Sequence, residues 1–207
     1  MNGKKITTIV FDIGGVLLDI HPERTYQYIS DSTDINIDVV KNRFPWDAHD
    51  EYERGNLTNK EWFFAFRDSL PQPCCLKEID FWKGWSLLLG KEKETVKILS
   101  VLSQSYSTWL LSNTNPKHIQ DEIEENYLFP SLVDGAIYSF DTRYRKPEKN
   151  IYSFLLKKSK TQPEQCVFID DLIENVETAR LVGMHAIHFI NYNLLLEELK
   201  DLGVHIL

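Results

Sequence analysis

The segment ITTIVFDIGGVLLD, residues 6–19, decides the fold of this chain. Residues 6–12 are apolar and β-branched and end in Asp12, which is typical of a buried strand with a carboxylate at its carboxyl end. Gly14-Gly15 then predicts a turn or an irregular backbone. Since ligand sites in open parallel sheets lie beyond the carboxyl ends of the strands, Asp12 is a candidate site residue.

From about residue 92 onward, helical and extended patterns alternate along the chain. Strands are predicted at 107–111, 132–138, 165–169 and 185–189, and helices are predicted at 92–104, 117–126, 147–159, 173–182 and 193–201. This alternation predicts right-handed crossovers and a parallel sheet with helices on both faces. The fold class is therefore α/β.

Residues 22–90 differ from the rest of the chain because aromatic and charged residues alternate there at helical spacing. Thr58 stands three residues before Glu61 and indicates a helix start. We interpret this stretch as several helices without a strand. The predicted organisation is an α/β core of residues 1–18 plus 92–207, interrupted by an all-helical insert, residues 19–91.

Composition and charge limit the classes of function. The 207 residues include 23 Lys+Arg and 31 Asp+Glu, a net charge of −8, which argues against a dedicated nucleic-acid binder. No window reaches the roughly 18 apolar residues of a membrane span. Cys74, Cys75 and Cys166 have neither disulfide-framework nor zinc-ligand spacing. Free thiols in a reducing cytoplasm are expected.

Polar groups cluster where the predicted strands end. Four segments are placed in this way: Asp12, Ser112-Asn113, Lys146 and Asp170-Asp171. Each alone also fits an ordinary role as a helix cap, a turn or a solvated surface group. Three carboxylates in one crevice need a counter-charge, and Mg²⁺ prefers such oxygen ligands when a phosphate shares its coordination.

The segments around these residues resemble the four ordered motifs of the haloacid dehalogenase superfamily. They are VFDIGGVLLD (10–19), LLSNTN (110–115), YRKPEKNIY (144–152) and FIDDLIENVETARLVGMHAI (168–187). The resemblance implies a Rossmann-like core with a helical cap inserted after the first motif. Within the superfamily the chain is similar to small bacterial sugar-phosphate phosphatases, including α-glucose-1-phosphatase-like proteins.

The resemblance implies a metal site. Asp12 would be the nucleophile and would give an aspartyl-phosphate. One oxygen of Asp12, the main-chain carbonyl of Gly14 and the carboxylate of Asp171 would bind Mg²⁺. Asp170 would hold a metal-bound water or orient Asp171.

The resemblance also implies a phosphate site. Ser112 would donate a hydrogen bond to a phosphoryl oxygen, assisted by the backbone N–H of Asn113. Lys146 would neutralise charge on the phosphate and on Asp12. Together, the Mg²⁺ and Lys146 would offset the repulsion between an anionic nucleophile and an anionic substrate.

Gly14 departs from the family pattern, which usually has a second aspartate there as general acid and later general base. Such help contributes about 10²–10⁴-fold to a rate. A sugar phosphate with a good leaving group needs less of it. Asp19 and His21, where the chain enters the cap, are candidates to substitute.

The cap is expected to choose the substrate. Trp46 or Tyr52 could contact a sugar, and Arg43 or Arg54 could reach a second anionic group. The two histidines on the last predicted strand, His185 and His188, are interpreted as core or edge residues rather than as metal ligands.

The sequence favours a Mg²⁺-dependent phosphomonoesterase whose ligand is a small phosphorylated metabolite, above all a sugar phosphate. Two alternatives stay open at this point. One is a 2-haloacid dehalogenase that uses the same aspartate, and the other is a weakly active phosphate-ligand binding or regulatory protein. The paired acids and Lys146 favour metal and phosphate over a halide site, whereas Gly14 keeps the binding protein open.

Overall fold

The computed structural model describes residues 5–206. Within them the chain forms seven strands. They are β1 (Thr8–Phe11), β2 (Leu18–Ile20), β3 (Leu89–Glu92), β4 (Ser107–Ser112), β5 (Gly135–Tyr138), β6 (Cys166–Asp170) and β7 (His185–His188). Five of them make a parallel sheet in the order β5-β4-β1-β6-β7, and β2 pairs with β3 in an antiparallel ribbon.

The helices fall into two groups along the chain. The first group lies between β2 and β3 and contains α1 (Pro22–Thr33), α2 (Ile37–Asn42), α3 (Trp46–Glu53), α4 (Asn59–Ser69) and α5 (Glu78–Ser86). The second group contains α6 (Thr95–Leu102), α7 (Pro116–His118), α8 (Glu124–Asn126), α9 (Ser139–Thr142), α10 (Lys149–Ser159), α11 (Ile173–Leu181) and α12 (Tyr192–Asp201). A π-helical turn, Ile119–Ile123, joins α7 to α8.

The central strand β1 is buried on both faces, which explains why its sequence is continuously apolar. Successive side chains point to opposite faces of the sheet. Ile9 and Phe11 therefore pack into one hydrophobic cluster, while Val10 packs into the other with Trp109 and Phe168. Burial between two helical layers fixes β1 at the centre of the sheet and brings Asp12 to the middle of its carboxyl edge.

The first helical group has a hydrophobic core of its own. It is dominated by aromatic side chains, among them the fully buried Tyr52, Trp62, Phe66 and Phe81. The α/β class with an inserted set of helices is confirmed. We use the name cap for α1–α5, and the domain limits predicted from the sequence remain a proposal.

Two predicted features were wrong. The stretch 22–90 is not free of strand, because β3 begins at Leu89 and pairs with β2. The helix expected from Pro147 begins only at Lys149. The preceding residues form a turn in which the Glu148 N–H donates to the Arg145 carbonyl at 2.7 Å. This turn leaves Lys146 outside the helix and at the site.

The structure also bears on two simpler expectations. Among the described residues, no helix has both the length and the apolar character needed to cross a bilayer. The three cysteines are free thiols, with Cys166 buried in β6 and Cys75 exposed.

Candidate active site

Lys146 lies between two carboxylates at the carboxyl edge of the sheet. Its Nζ atom is 2.7 Å from Asp12 Oδ1 and 2.6 Å from Asp170 Oδ2, and all three side chains are buried. Asp12 follows β1, Asp170 ends β6, and these strands are adjacent and parallel, so their ends meet. The sequence-predicted pair of Asp12 and Lys146 is therefore in direct contact.

This ion cluster is short of positive charge. Burial raises the pKa of Asp12 to about 7, although Lys146 lowers it, and Asp170 raises it further. Burial lowers the pKa of Lys146, but the attraction of Asp12 and Asp170 outweighs this effect and raises it. Asp12 must be ionised to act as a nucleophile. A second cation beside it would favour that form.

The arrangement of oxygen atoms fits a magnesium ion. Asp12, Asp170 and Asp171 each offer a carboxylate oxygen, and these atoms lie within 4.8 Å of one another. Hard oxygen donors are the ligands that Mg²⁺ prefers. Gly14, whose carbonyl is the other expected ligand, lines the same cavity.

Gly15 makes room for one of these carboxylates. Its φ of +74° belongs to the left-handed region, and a Cβ placed there would lie 2.0 Å from Asp171 Oδ2. Burial raises the pKa of Asp171, and so does the nearby Asp170. The second glycine of the first motif therefore admits a charged side chain that a larger residue would displace.

Asp170 is fully buried and uses both oxygens within the protein. Oδ1 accepts hydrogen bonds from the Leu172 N–H at 2.8 Å and from Asn175 Nδ2 at 2.9 Å, while Oδ2 accepts from Lys146. These contacts make Asp170 a positioning residue for Lys146. Asn175 also lines the cavity and was not singled out from the sequence. Its place one helical turn beyond the Asp170-Asp171 pair was the available signal.

Asn113 positions Lys146 from the other side. Its Nδ2 donates to the Lys146 carbonyl at 2.9 Å, and its Oδ1 accepts from the Lys146 N–H at 2.8 Å. The Ser112 hydroxyl makes one long contact, 3.4 Å to the Asn113 carbonyl. Both residues line the cavity, so the Ser112 hydroxyl can turn toward a ligand.

The cavity above these residues has a volume of about 850 Å³ and lies between the core and the cap. Six of the seven predicted site residues line it: Asp12, Gly14, Ser112, Asn113, Lys146 and Asp171. Asp170 is fully buried and is not part of the lining. From the cap, helix α3 contributes Trp46, Asp47, His49, Asp50 and Glu53.

Two cations of the lining were missed in the sequence. Arg145 forms ion pairs with Asp50 and with Glu53, the latter at 2.7 Å. Lys93 Nζ donates to the Gly15 carbonyl at 2.6 Å. Arg145 directly precedes Lys146, and this adjacency was the available signal, whereas Lys93 follows a short strand that the sequence did not reveal.

The cap residues named from the sequence separate into two groups. Trp46 lines the cavity and is 65% exposed, whereas Tyr52 is fully buried and donates to Asn59 Oδ1 at 2.8 Å. Arg54 is held by Asp50 and Glu148, at 2.6 and 2.5 Å. The described lining does not include Arg43.

The structure also shows the location of four further residues named from the sequence: Asp19, His21, His185 and His188. Asp19 lines the cavity, while His21 is outside the described lining. His188 Nε2 lies 2.9 Å from the Asp171 carbonyl oxygen, so it contacts the backbone of the site. His185 is exposed.

Similar proteins extend this description. The D-ribitol-5-phosphate phosphatase of Bacteroides thetaiotaomicron is 25% identical over 86% of this chain and 89% of its own length. The sesquiterpene phosphatase astK of Aspergillus oryzae is 24% identical over 93% of this chain and 94% of its own length. Both relatives therefore cover the core and the cap together.

A similar fold is found in the HAD family enzyme bt-2542 of Bacteroides thetaiotaomicron, solved in complex with magnesium and inorganic phosphate. The TM-score is 0.81 at 22% identity, over 92% of this chain and 98% of that one. The family model described as haloacid dehalogenase-like hydrolase matches residues 6–183, from β1 to the end of α11. The chain, with its four motifs gathered at one edge of the sheet, belongs to the haloacid dehalogenase-like hydrolases.

Proposed function

We propose that this chain is a Mg²⁺-dependent phosphomonoesterase that acts on a small phosphorylated metabolite. The observation that carries the proposal is the contact of Lys146 with Asp12, beside an oxygen cluster that faces an 850 Å³ cavity. The phosphatase activities named for two relatives and the magnesium and phosphate bound by a structural neighbour support it.

Asp12 attacks the phosphorus atom of the ester and forms an aspartyl-phosphate, while the bond from phosphorus to the ester oxygen breaks and that oxygen takes up a proton and leaves as the alcohol. Water then attacks the aspartyl-phosphate, which releases inorganic phosphate and restores Asp12. Lys146 holds Asp12 in place and places positive charge beside the phosphoryl oxygens. Ser112 and the Asn113 N–H donate to the same oxygens. Asp12, Asp171 and the Gly14 carbonyl would hold the Mg²⁺ ion, which would supply the remaining counter-charge to the substrate.

Gly14 has no side chain that could transfer a proton to the leaving group. A Cβ on Gly14 would lie 3.3 Å from Ile20 Cγ1, so Ile20 occupies the neighbouring space. Asp19 stands next to Ile20 and lines the cavity. Asp19 is therefore the better placed of the two substitutes considered from the sequence, and the proposal assigns it this role over His21.

The proposed substrate is a sugar or polyol phosphate. The polar lining of the cavity offers acceptors for hydroxyl groups, and the exposed Trp46 provides an aromatic surface for a carbon skeleton. The ribitol phosphatase named above supports this class. A cytoplasmic location stays part of the proposal because the three thiols are free.

The dehalogenase alternative is less favoured by the site. A halide leaves without a metal, whereas three clustered carboxylates, two of them paired with Lys146, leave an excess of negative charge that calls for a cation. The binding-protein alternative rests on Gly14 alone.

The test is hydrolysis of p-nitrophenyl phosphate by the purified chain. We expect turnover that requires Mg²⁺, stops on addition of EDTA, and falls by at least about 10³-fold in Asp12→Asn. Asp201→Asn, an exposed residue that ends α12, serves as the matched control and keeps full activity. Metal-independent release of halide from a 2-haloacid would favour the dehalogenase, and binding of phosphate esters without turnover would favour the binding protein.

A further inference from the structure

One face of helix α3 forms the cap wall of the cavity. Trp46, His49, Asp50 and Glu53 follow the spacing i, i+3, i+4 and i+7, which places them on one side of a helix. All four line the cavity, together with Asp47. Three of these five residues carry carboxylates. The cap side of the cavity, opposite the expected phosphate site on the core, therefore carries three carboxylates.

The cations of the cavity are already engaged. Lys146 pairs with Asp12 and Asp170, and Lys93 donates to the Gly15 carbonyl. Arg145 pairs with both Asp50 and Glu53. In the described part of the chain, the lining cations Lys146 and Arg145 are both ion-paired, whereas Lys93 keeps its charge and donates to the backbone of the first motif.

Three acidic side chains of the lining, in contrast, have no ion-pair partner among the described residues. Within residues 5–206, these are Asp19, Asp47 and Asp171. Asp171 is an expected Mg²⁺ ligand and Asp19 is the proposed proton donor, so Asp47 is the carboxylate of α3 whose negative charge has no partner. His49 adds no charge near neutral pH, because burial lowers its pKa even though Glu53 raises it. The excess charge of the leaving-group side is therefore negative.

We propose that the α3 wall selects phosphate esters whose leaving group is a neutral polyhydroxyl chain and rejects esters that carry a second anionic group, with Asp47, Asp50 and Glu53 as specificity-determining residues. This inference rests on the proposed phosphatase activity. It narrows the substrate class, because sugar acids, sugar bisphosphates and phosphorylated carboxylic acids are excluded.

The physical reason is that the carboxylates of α3 attract hydroxyl groups of a substrate and repel a second anionic group. Hydroxyl groups donate hydrogen bonds to carboxylates, and these charge-assisted bonds are stronger than neutral ones. A carboxylate on the substrate would face like charge and find Arg145 already neutralised. Like charges several ångströms apart in a partly buried cavity reduce binding by about tenfold or more. Selection by repulsion of the wrong ligand is a recognised source of specificity.

The test uses two esters that differ in one group. D-ribitol 5-phosphate and D-ribonate 5-phosphate share a carbon chain, but carbon 1 is a neutral CH₂OH in the first and a carboxylate in the second. We expect kcat/KM with Mg²⁺ to be at least about tenfold higher for the ribitol ester. Calorimetric binding of both esters to Asp12→Asn with Mg²⁺ should give a preference of similar size without turnover.

Substitutions on α3 assign the preference to the wall. Asp47→Asn should lower the ratio of kcat/KM for the ribitol ester to kcat/KM for the ribonate ester several-fold. Asp47→Lys should bring this ratio to unity or below. Asp38→Asn, which removes an exposed carboxylate from α2 of the same cap, is the matched control and should leave the ratio unchanged. Asp50→Asn should also narrow the ratio, since it frees Arg145 in part.

The outcomes separate the two proposals. Equal binding and equal turnover of the esters, or a ratio that does not change in Asp47→Asn and Asp47→Lys, would overturn the inference while the phosphatase activity stands. Absence of Mg²⁺-dependent hydrolysis of any ester would overturn the proposed function. The calorimetric ratio would then still decide whether the wall discriminates by charge.

Discussion

Gly15 stands where the backbone of the first motif meets the carboxylate of Asp171. Its positive φ is strained for any side chain, and in addition a Cβ would overlap Asp171 Oδ2. Gly203 has a similar φ of +76° but nothing within 4 Å of its Cβ position. Comparing alanine substitutions at Gly15 and Gly203 therefore separates the free-energy cost of the backbone conformation from the cost of displacing Asp171.

We predict that Gly203→Ala lowers the free energy of unfolding by about 1 kcal/mol and leaves Mg²⁺-dependent hydrolysis unchanged. Gly15→Ala should lower the free energy of unfolding by more than Gly203→Ala does. It should also raise the Mg²⁺ concentration needed for half-maximal activity by about tenfold or more, because Asp171 is displaced. Urea unfolding and a Mg²⁺ titration of p-nitrophenyl phosphate hydrolysis measure the two effects. Equal behaviour of the two variants would contradict the contact with Asp171.

Lys146 holds together two buried carboxylates that repel each other. Its replacement by methionine leaves Asp12 and Asp170 without their shared cation. We predict that Lys146→Met lowers the free energy of unfolding by about 3–5 kcal/mol in metal-free buffer and abolishes hydrolysis. Lys60→Met, at an exposed lysine of α4, should change stability by less than about 0.5 kcal/mol. A stable Lys146→Met variant would show that the carboxylates do not depend on this ammonium group.

At this scale, the sequence was informative where a residue follows a strand. Asp12, Ser112 and Asp170 were predicted to lie together because parallel strands bring their carboxyl ends to one edge. Arg145 and Glu53 could not be found in this way, because their contact depends on how the cap packs over the core. That packing arises from tertiary contacts rather than from any local spacing.

Helix α4 shows how a local signal fixes an element. The Thr58 hydroxyl accepts from the Glu61 N–H at 3.2 Å, and Glu61 Oε2 accepts from the Thr58 N–H at 2.8 Å, which is a complete capping box. The predicted start of this helix is confirmed. The helix then buries Trp62, Phe63 and Phe66 in the aromatic core of the cap.

We predict that Thr58→Ala lowers the free energy of unfolding by about 1 kcal/mol, because the N-terminus of α4 then loses one side-chain acceptor for its free N–H groups. Thr58→Ser, which keeps the hydroxyl, should recover most of the loss. Thermal or urea unfolding of the three proteins is sufficient. An alanine variant as stable as the natural chain would mean that water replaces the hydroxyl without cost.

The elements that the sequence did not reveal are short and polar. Strand β3 reads LGKE, and its glycine and two charged residues give no strand signal without the partner β2. Helix α9 has only four residues, SFDT, and is too short to show a helical period. Both elements form because a neighbouring segment binds them, so their formation depends on tertiary structure.

Across the whole molecule, His118 connects the core to the cap. Its Nε2 lies 3.1 Å from the Trp85 carbonyl, which can only accept, so Nε2 carries the proton. Nδ1 then accepts from Asn115 Nδ2 at 3.1 Å. The imidazole also stacks on the Trp85 ring, with centroids 5.2 Å apart. The neutral ring satisfies both hydrogen bonds, whereas a second proton would break one.

This contact predicts how stability depends on pH. Burial lowers the pKa of His118 to about 4, although the Trp85 carbonyl raises it, so the unfolded chain binds this proton more tightly than the folded one. Stability is then present above the unfolded pKa of 6.5 and is lost as the pH falls toward 4. We expect a loss of about 3 kcal/mol from this group.

His118→Gln is the matched variant, because its amide can still donate to the Trp85 carbonyl and does not titrate. Between pH 7.5 and pH 4 the natural chain should lose about 3 kcal/mol more than this variant, measured by urea unfolding in metal-free buffer. Parallel stability curves for the two proteins would assign the acid sensitivity to other groups.

The antiparallel ribbon of β2 and β3 has a consequence for how such enzymes diversify. The His21 N–H donates to the Leu88 carbonyl at 2.8 Å, so the two ends of the inserted chain leave the core side by side. Any module whose termini are about 5 Å apart can be grafted at this point without stretching the catalytic strands. Lys93, just beyond the ribbon, donates a hydrogen bond to the Gly15 carbonyl and so ties the end of the insertion to the first motif. Evolution can therefore exchange the part that recognises the ester while it inherits the part that breaks it.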